Sequence, residues 1–424
     1  MIILKNATYI DWQSLDFSVK HILVEEGIDK KISFIDDSDQ RLTDNSNNII
    51  DCTGKLVTKS FGIGHHHIYS ALSRGMGAPK KNPENFHEIL EYIWWTLDKC
   101  LDKDMIEYSA LTTAIASAKA GSTFVIDHHA SPFAVEGSLE IIAKAFEKVG
   151  VSHLLCYEIS DRDGMDISAN GLKETESYLK NNQGLIGLHA SFTVGNNTLE
   201  KAVALMNNYN SGIHVHVAED LSDQGHCLKT YGKRVVTRLH EFGALDSSKT
   251  ILGHCLHLDN NERELIKNSP AWVVQNMESN LNNRVGYFSG EGLGNNLMLG
   301  TDGMHSDMLQ SAKFAFFAGQ HTDNIGYDTA YQRFRNVHNY LNTNKFKGDG
   351  DNNLVILDYN TPTPLNKDNF YGHFLFGFNS AMVTDVISDG KLIVKNRIMQ
   401  TVNEDEILRQ SGELAKKLWK KMQG

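Results

Sequence analysis

Phe61-Gly62-Ile63-Gly64-His65-His66-His67 is a short apolar run that ends in three imidazoles, and three later stretches repeat the design: His214-Val215-His216-Val217-Ala218-Glu219, Gly253-His254 and Gly300-Thr301-Asp302-Gly303. In an extended strand neighbouring side chains point to opposite faces, so His65 and His67 can reach one point while His66 turns away. His214 and His216 offer the same choice. Histidine nitrogens with one carboxylate suit zinc or ferrous iron, and an ion with an open position lowers the pKa of a bound water. The pattern therefore points to water activation at a metal.

Working outward, apolar strand, loop and amphipathic helix alternate from about residue 58 onward, which is a β/α pattern. Candidate strands lie at 61–64, 123–127, 151–157, 185–189, 213–217, 250–253, 272–275 and 297–300. Helical patterns between them include 105–120, ended by Gly121, and 139–149, ended by Gly150, where glycine supplies the left-handed conformation after the last turn. Eight strands predict an α/β fold with a closed (β/α)8 TIM barrel. Strands one, five, six and eight each end in a candidate ligand, and barrel enzymes build their sites at the C-terminal ends of strands.

Before the barrel, residues 1–57 alternate in short apolar and polar runs such as Met1-Ile-Ile-Leu-Lys5. After it, which we end at residue 348, strand character returns at 354–358, 381–387 and 391–394, followed by an amphipathic helix over 404–422 with a solvated, lysine-rich face. We expect residues 1–57 and 349–424 to form one small β-sandwich from both chain ends.

The 424 residues, 41% of them hydrophobic, suffice for such a core, and the formal charge of −11 argues against a nucleic-acid partner, whose phosphates require a basic face. A small-molecule substrate is expected. Cys52, Cys100, Cys156, Cys227 and Cys255 include no Cys-x-x-Cys pair, so neither a disulfide framework nor a thiolate zinc site is indicated. With no signal-peptide pattern and no run long enough to span a membrane, a soluble cytoplasmic protein without membrane contact is expected.

Around the candidate ligands, Glu219 stands three residues beyond His216, where a carboxylate can shuttle a proton at a substrate ring. His254 can donate to the oxygen developing at an attacked carbon, and Asp302 can bind metal through one oxygen and take a proton on the other. No lysine ends strand four, Leu185-Ile-Gly-Leu-His189-Ala190, so one metal is expected rather than a bridged pair, leaving His189 to contact substrate. At least one imidazole of Asp127-His128-His129-Ala130, taken as His128, is expected in the pocket, and of Trp94 and Trp95 we take Trp95 to stack on a planar heterocycle.

The chain resembles the amidohydrolase superfamily, in the branch of cytosine, guanine and S-adenosylhomocysteine deaminases and triazine chlorohydrolases. More closely it is similar to SsnA-type aminohydrolases, through His67-Ile-Tyr-Ser-Ala-Leu-Ser-Arg-Gly75, Val125-Ile-Asp-His-His-Ala-Ser-Pro132, Ser279-Asn-Leu-Asn-Asn-Arg-Val-Gly-Tyr287, Gly300-Thr-Asp-Gly303 and Asp358-Tyr-Asn-Thr-Pro-Thr-Pro364. The resemblance implies a distorted barrel with a β-sandwich from both termini. It selects His216 over His214, places the metal on His65, His67, His216 and Asp302, and gives proton transfer to Glu219 and His254. It further implies one divalent ion, zinc with ferrous iron as the alternative, a homodimer, and a purine-like or ring-opened purine substrate in purine breakdown. Two features depart from the family: Lys59-Ser60 stands where relatives carry Pro-Gly, and Gly348-Asp-Gly-Asp-Asn-Asn353 replaces Gly-x-x-Ala-Asp. Deamination of a planar nitrogen heterocycle is the leading reading. Hydrolysis of a cyclic amide or carbon–halogen bond at the same metal is the second, and a non-catalytic accessory role beside a selenium-dependent enzyme is the third.

Overall fold

The structure is a computed structural model that describes residues 1–44 and 48–424; the expected N-terminal unit 1–57 therefore includes three residues outside the described ones. Eight parallel strands form one sheet in sequential order: β1 (Phe61–His66), β2 (Ser122–His129), β3 (Ser152–Ile159), β4 (Ile186–Ala190), β5 (Ile213–Val217), β6 (Ile251–His254), β7 (Trp272–Gln275) and β8 (Leu297–Leu299). A bridge between His66 and Asp302 joins the last strand to the first. The expected (β/α)8 barrel is thus present, with each strand within a few residues of its sequence reading.

The barrel forms because its strands are apolar on both faces, as parallel strands covered by helices must be. One alternate set, including Phe124, Ile126, Leu154, Cys156, Ile251, Val274 and Met298, fills the interior and is plugged by Val337, Tyr340 and Leu341 of the helix Tyr327–Thr343. The other set, including Val125, Leu155, Ile186, Leu188 and Val215, packs outward in the main core with the surrounding helices. Closure depends on a close approach at Gly64, where an added Cβ would lie 2.6 Å from the Leu299 carbonyl oxygen and 3.2 Å from the Met298 side chain. Gly64→Ala is expected to cost about 1–3 kcal/mol, the usual range for overpacking, read as a lower midpoint in chemical denaturation.

Both chain ends contribute to a second, nine-stranded sheet. The hydrogen-bond ladder is continuous, so the two layers expected from sequence are joined. Ile2–Ile10 pairs with Asn48–Asp51 through residues 2–5 and with Leu56–Lys59 through residues 8 and 9, and a register shift between Leu4 and Ala7 separates the halves. Leu354–Leu357 completes the junction by pairing antiparallel with Leu56–Lys59. The terminal helix Glu404–Gln423 leaves this sheet and lies on the barrel: Ser411 bonds Thr112, Lys119 bonds Glu404, and Trp419 Nε1 donates to the Leu72 carbonyl.

The two departures from the family pattern meet in space. Lys59 is buried and donates from Nζ to the carbonyls of Asp349 and Gly350, both at 2.9 Å, with the Asp349 carboxylate at 3.2 Å. That carboxylate also takes a bond of 2.9 Å from His338, and Ser60 N–H donates to Asn353 O. One loop's lysine satisfies the other loop's carbonyls, so the two changes form a compensating pair beneath the barrel, away from its ligand-bearing end.

Candidate active site

His65 near the end of β1 and His67 just past it share one face, and His66 turns to the other. His66 Nδ1 donates to the Asp302 carbonyl at 2.6 Å, while the Asp302 and Thr301 amides donate to the His65 carbonyl at 3.1 and 3.0 Å. The imidazole that cannot reach the cluster therefore fastens the first strand to the last. Asp302, and likewise Ala218 and His254 just after β5 and at the end of β6, adopt positive φ of 52°, 47° and 66°. Such backbone is costly for residues other than glycine and persists where surrounding structure enforces it, commonly at functional sites.

His65, His67 and His216 each offer a nitrogen, all within 4.8 Å of one another, as do His65, His254 and Asp302 with their own ligand atoms. His67 Nδ1 donates to the His128 carbonyl at 2.6 Å and His216 Nδ1 to the His189 carbonyl at 2.7 Å. These carbonyls accept only, so each ring carries its proton on Nδ1 and aims an Nε2 lone pair inward. The two Nε2 atoms then face each other at 3.1 Å with no proton between them. His65 Nε2 is buried without a hydrogen-bond partner, and Asp302 Oδ1 lies 3.2 Å from His67 Nε2 and 3.8 Å from His65 Nε2. Converging lone pairs beside a carboxylate repel one another unless a cation sits among them, so this donor set fits a divalent ion. Burial holds His65 and His216 well below the ordinary imidazole range and lowers His67, which keeps all three neutral and able to ligate.

His214, the alternative to His216, lies behind the cluster. Its Nε2 is 2.9 Å from His65 Nδ1 and its Nδ1 is 3.7 Å from Cys156 Sγ, so it orients His65.

Glu219 and His254 stand beside the cluster, with His254 Nε2 3.5 Å from Glu219 Oε2 and 3.7 Å from Asp302 Oδ2. Burial raises the Glu219 carboxyl to about 7, helped by Asp302 and opposed by His254; a bound cation would pull it down again. For Asp302 burial also acts upward, but His67, His254 and bonds from Ser279 and Gly303 outweigh it and leave the carboxyl below its usual range. His254 is aimed by Asn280, whose Oδ1 accepts from Nδ1 at 2.7 Å. Asn280→Ala is expected to lower kcat about tenfold with metal content intact, by freeing a ring that must point at the reacting centre; paired steady-state kinetics and metal analysis check this.

A cavity of about 60 Å³ opens onto this centre, walled by Tyr69, Phe86, Trp95, Glu158, His189 and Met304 among others. Of the three residues expected to touch substrate, His189 and Trp95 line it and His128 does not. Both ring nitrogens of His128 are directed elsewhere: Nε2 lies 3.1 and 3.2 Å from the carbonyls of His214 and Leu188, and Nδ1 lies 3.3 Å from Glu158 Oε2. It belongs behind the wall. His129 is likewise turned away, bonding Ser131 at 2.9 Å. Trp95 has one face covered by the Arg162 guanidinium, 5.1 Å from the ring centre, so at most its other face is open for stacking. A one-turn π-helix, Leu90–Trp94, sets the phase of this tryptophan over the cavity.

Sequence reading missed Glu158, Arg162, Asn280 and the roles of His66 and His214. Glu158 could have been found as a carboxylate one residue past the apolar run of strand three; Asn280 lies in the motif Ser279–Tyr287 that carries the resemblance, which marked the segment without giving this side chain a role.

Comparison with known proteins agrees with this geometry. Residues 64–332, more than half the chain, match the amidohydrolase family. The chain is 26% identical over 408 residues to the 5'-deoxyadenosine deaminase of Methanococcus vannielii, covering 91% of this chain and 93% of that one. It is 25% identical over 445 residues to the 5-methylthioadenosine/S-adenosylhomocysteine deaminase of Aquifex aeolicus, covering 97% and 99%. Among solved structures, a zinc-bound adenosine deaminase from Xanthomonas campestris superposes with a TM-score of 0.83 at 17% identity, over 98% of both chains. Atrazine chlorohydrolase from Arthrobacter aurescens, complexed with zinc, gives 0.82 at 15% identity over 98% of this chain and 100% of that one. With an eight-stranded parallel barrel, a ligand cluster at its C-terminal end and a family match across both, the chain belongs to the amidohydrolase family.

Proposed function

We propose that the protein is a metal-dependent hydrolase that removes an amino group, as ammonia, from a planar, purine-like nitrogen heterocycle. The observation that carries this reading is the placement of the buried Glu219 carboxyl and of His254 against an inward-pointing set of imidazole nitrogens. His65, His67, His216 and Asp302 would hold one divalent ion, which when bound supplies Lewis acidity and brings the pKa of a water towards neutrality. Glu219 does the proton work. Its carboxylate can accept a proton from the attacking water, and burial, which favours the protonated form, helps it carry that proton until it is delivered to a ring nitrogen. His254, held through Nδ1 by Asn280, points Nε2 between Glu219 and Asp302, where in its imidazolium form, with a proton on each nitrogen, it can donate to the oxygen developing at the attacked carbon. His189 and the open face of Trp95 bound the substrate plane.

The names borne by similar proteins support deamination, and zinc in the solved neighbours supports zinc over ferrous iron. A purine-like substrate and a place in purine breakdown are parts of the same proposal. So are cytoplasmic residence and a homodimer. The exposed aromatic side chains of Phe314, Phe317, Tyr327 and Phe376 offer an apolar patch that a second copy would cover. Among the described residues no helix is long and apolar enough to cross a membrane.

The test is release of ammonia by the metal-loaded protein across guanine, other aminopurines, cytosine, pterins, adenosine-type nucleosides and ring-opened purines. Metal-dependent ammonia from one of these classes is expected. Chloride from a chlorotriazine or ring opening of a cyclic amide, with no ammonia from any amine, would replace deamination by the second reading.

A further inference from the structure

Glu158, the last residue but one of β3, stands in the cavity wall, only 6% exposed, and the proposed chemistry leaves it without a task. Its partners define what it can be. Arg162 donates from Nη1 to Oε1 at 3.3 Å, and His128 Nδ1 lies 3.3 Å from Oε2 without a hydrogen bond. An ionised carboxylate offers about four acceptor sites, so these two long contacts leave acceptor capacity at the cavity. Arg162 cannot turn to a ligand instead. Its Nε donates to Asp163 at 2.9 Å, its Nη2 to Asp98, and its face lies on Trp95.

Asp98, Glu158 and Asp163 face Arg162, with Lys99 2.8 Å from Asp163, and burial first of all raises the Asp98 carboxyl to about 7. Asp98 Oδ1, an acceptor, is buried without a hydrogen-bond partner, and so is the Trp95 Nε1–H, a donor, in the cavity wall. The free acceptor sites of Glu158 favour a ligand that brings N–H groups and reject one that brings a phosphate or carboxylate, while the Trp95 N–H, a donor, calls for an acceptor atom on the same ligand. Glu158 also offers an oxygen within 4.8 Å of nitrogens on His189 and His216, so it borders the reacting centre. A second cation there would sit beside the Arg162 guanidinium and compete with it for the same oxygens, which argues for a neutral N–H donor as the occupant.

We propose that Glu158 is a specificity-determining residue that accepts hydrogen bonds from ring or exocyclic N–H groups on the non-reacting edge of the heterocycle. The site then takes a free base and discriminates against one whose ring nitrogen carries a methyl group, a sugar or an anionic substituent. This rests on the deaminase reading for the identity of the reacting edge, and it narrows the substrate class from purine-like compounds in general to unsubstituted bases.

The test measures binding to the zinc-loaded full chain in the Glu219→Gln background, with and without Glu158→Gln, using matched probes: guanine and 9-methylguanine, adenine and 9-methyladenine, cytosine and 1-methylcytosine, and the corresponding nucleosides. At least one free base is expected to bind tenfold or more tightly than its methylated and ribosylated counterparts, since an unfilled charged acceptor is heavily penalised. Glu158→Gln should reduce that ratio to about twofold while one zinc per chain remains bound. A residue that merely supported the fold would weaken all probes together and leave the ratio unchanged. Equal binding of free and substituted bases, no binding by any probe, a ratio that survives Glu158→Gln, or loss of zinc on that substitution would each overturn the proposal. If the expected ratio is found but the protein with Glu219 intact releases no ammonia from the bound base, it is the deaminase reading that fails and not the recognition role.

Discussion

Glu219→Gln is expected to lower kcat by about 10²- to 10⁴-fold, the usual contribution of a positioned acid–base group, while leaving one metal ion per chain and substrate affinity little changed. Glutamine keeps the shape and the hydrogen-bonding reach of the side chain but cannot carry a proton between water and ring. Glu219 is not among the four candidate ligands, and its neighbour is His254 Nε2 at 3.5 Å, so metal content is the control that separates loss of chemistry from loss of the site. A second consequence follows from burial. The carboxyl is raised from 4.5 to about 7 in the folded protein, so the folded state binds its proton more tightly than the unfolded state. Stability is then lost as pH rises from the unfolded value through the folded one. The metal-free Glu219→Gln protein should therefore melt higher than the metal-free parent at pH 8 and about equally at pH 4. Undiminished turnover in the variant would remove Glu219 from the mechanism.

His65→Ala is expected to abolish metal retention and with it activity, by at least about three orders of magnitude given what a bound ion supplies. His65 is fully buried, its Nε2 has no hydrogen-bond partner, and the imidazoles around it are aimed by backbone carbonyls on other strands. With a ligand removed, the metal-free protein should lose stability through the void left by the ring and the 2.9 Å bond to His214, offset in part because one of the mutually repelling lone pairs disappears. The parent protein should melt higher with metal than without it, as binding to the folded state alone requires, and His65→Ala should lose that difference. His66→Ala makes the contrasting control. It should weaken the fold by cutting the 2.6 Å bond to the Asp302 carbonyl, while retaining three imidazole nitrogens for the ion. Metal loss in His66→Ala with retention in His65→Ala would reverse the assignment of faces along β1.

That alternation of faces was legible in Gly64-His65-His66-His67 alone, because side chains in a strand alternate whatever surrounds them. The barrel was legible for a related reason: strands buried on both faces read as unbroken apolar runs, and a histidine or aspartate at the end of one is conspicuous. Glu158 was hidden by the same logic. The apolar run of strand three reads as ending at Tyr157, although the strand extends to Ile159, and a single glutamate past it looks like the start of a loop. Its meaning lies in Arg162, His128 and Asp98, which other parts of the chain bring to it. The tautomers of His67 and His216 depend on the carbonyls of His128 and His189, contacts across strands that no local spacing encodes. His128 was misplaced because period-two alternation says which way a side chain points but not whether that side of the strand end opens into a cavity or into neighbouring carbonyls. The divided pairing of Ile2–Ile10 is of the same kind: the strand was visible, its change of partner at the Leu4 to Ala7 register shift was not.

The measurement that tests the account most directly is ammonia release by metal-free protein as zinc is titrated in, with the best substrate of the panel. Activity should be absent at the start, rise linearly and break at one zinc per chain, and the Glu219→Gln protein should bind the same equivalent in silence. Ammonia release without metal, or a break at two equivalents, would contradict a single ion held by His65, His67, His216 and Asp302.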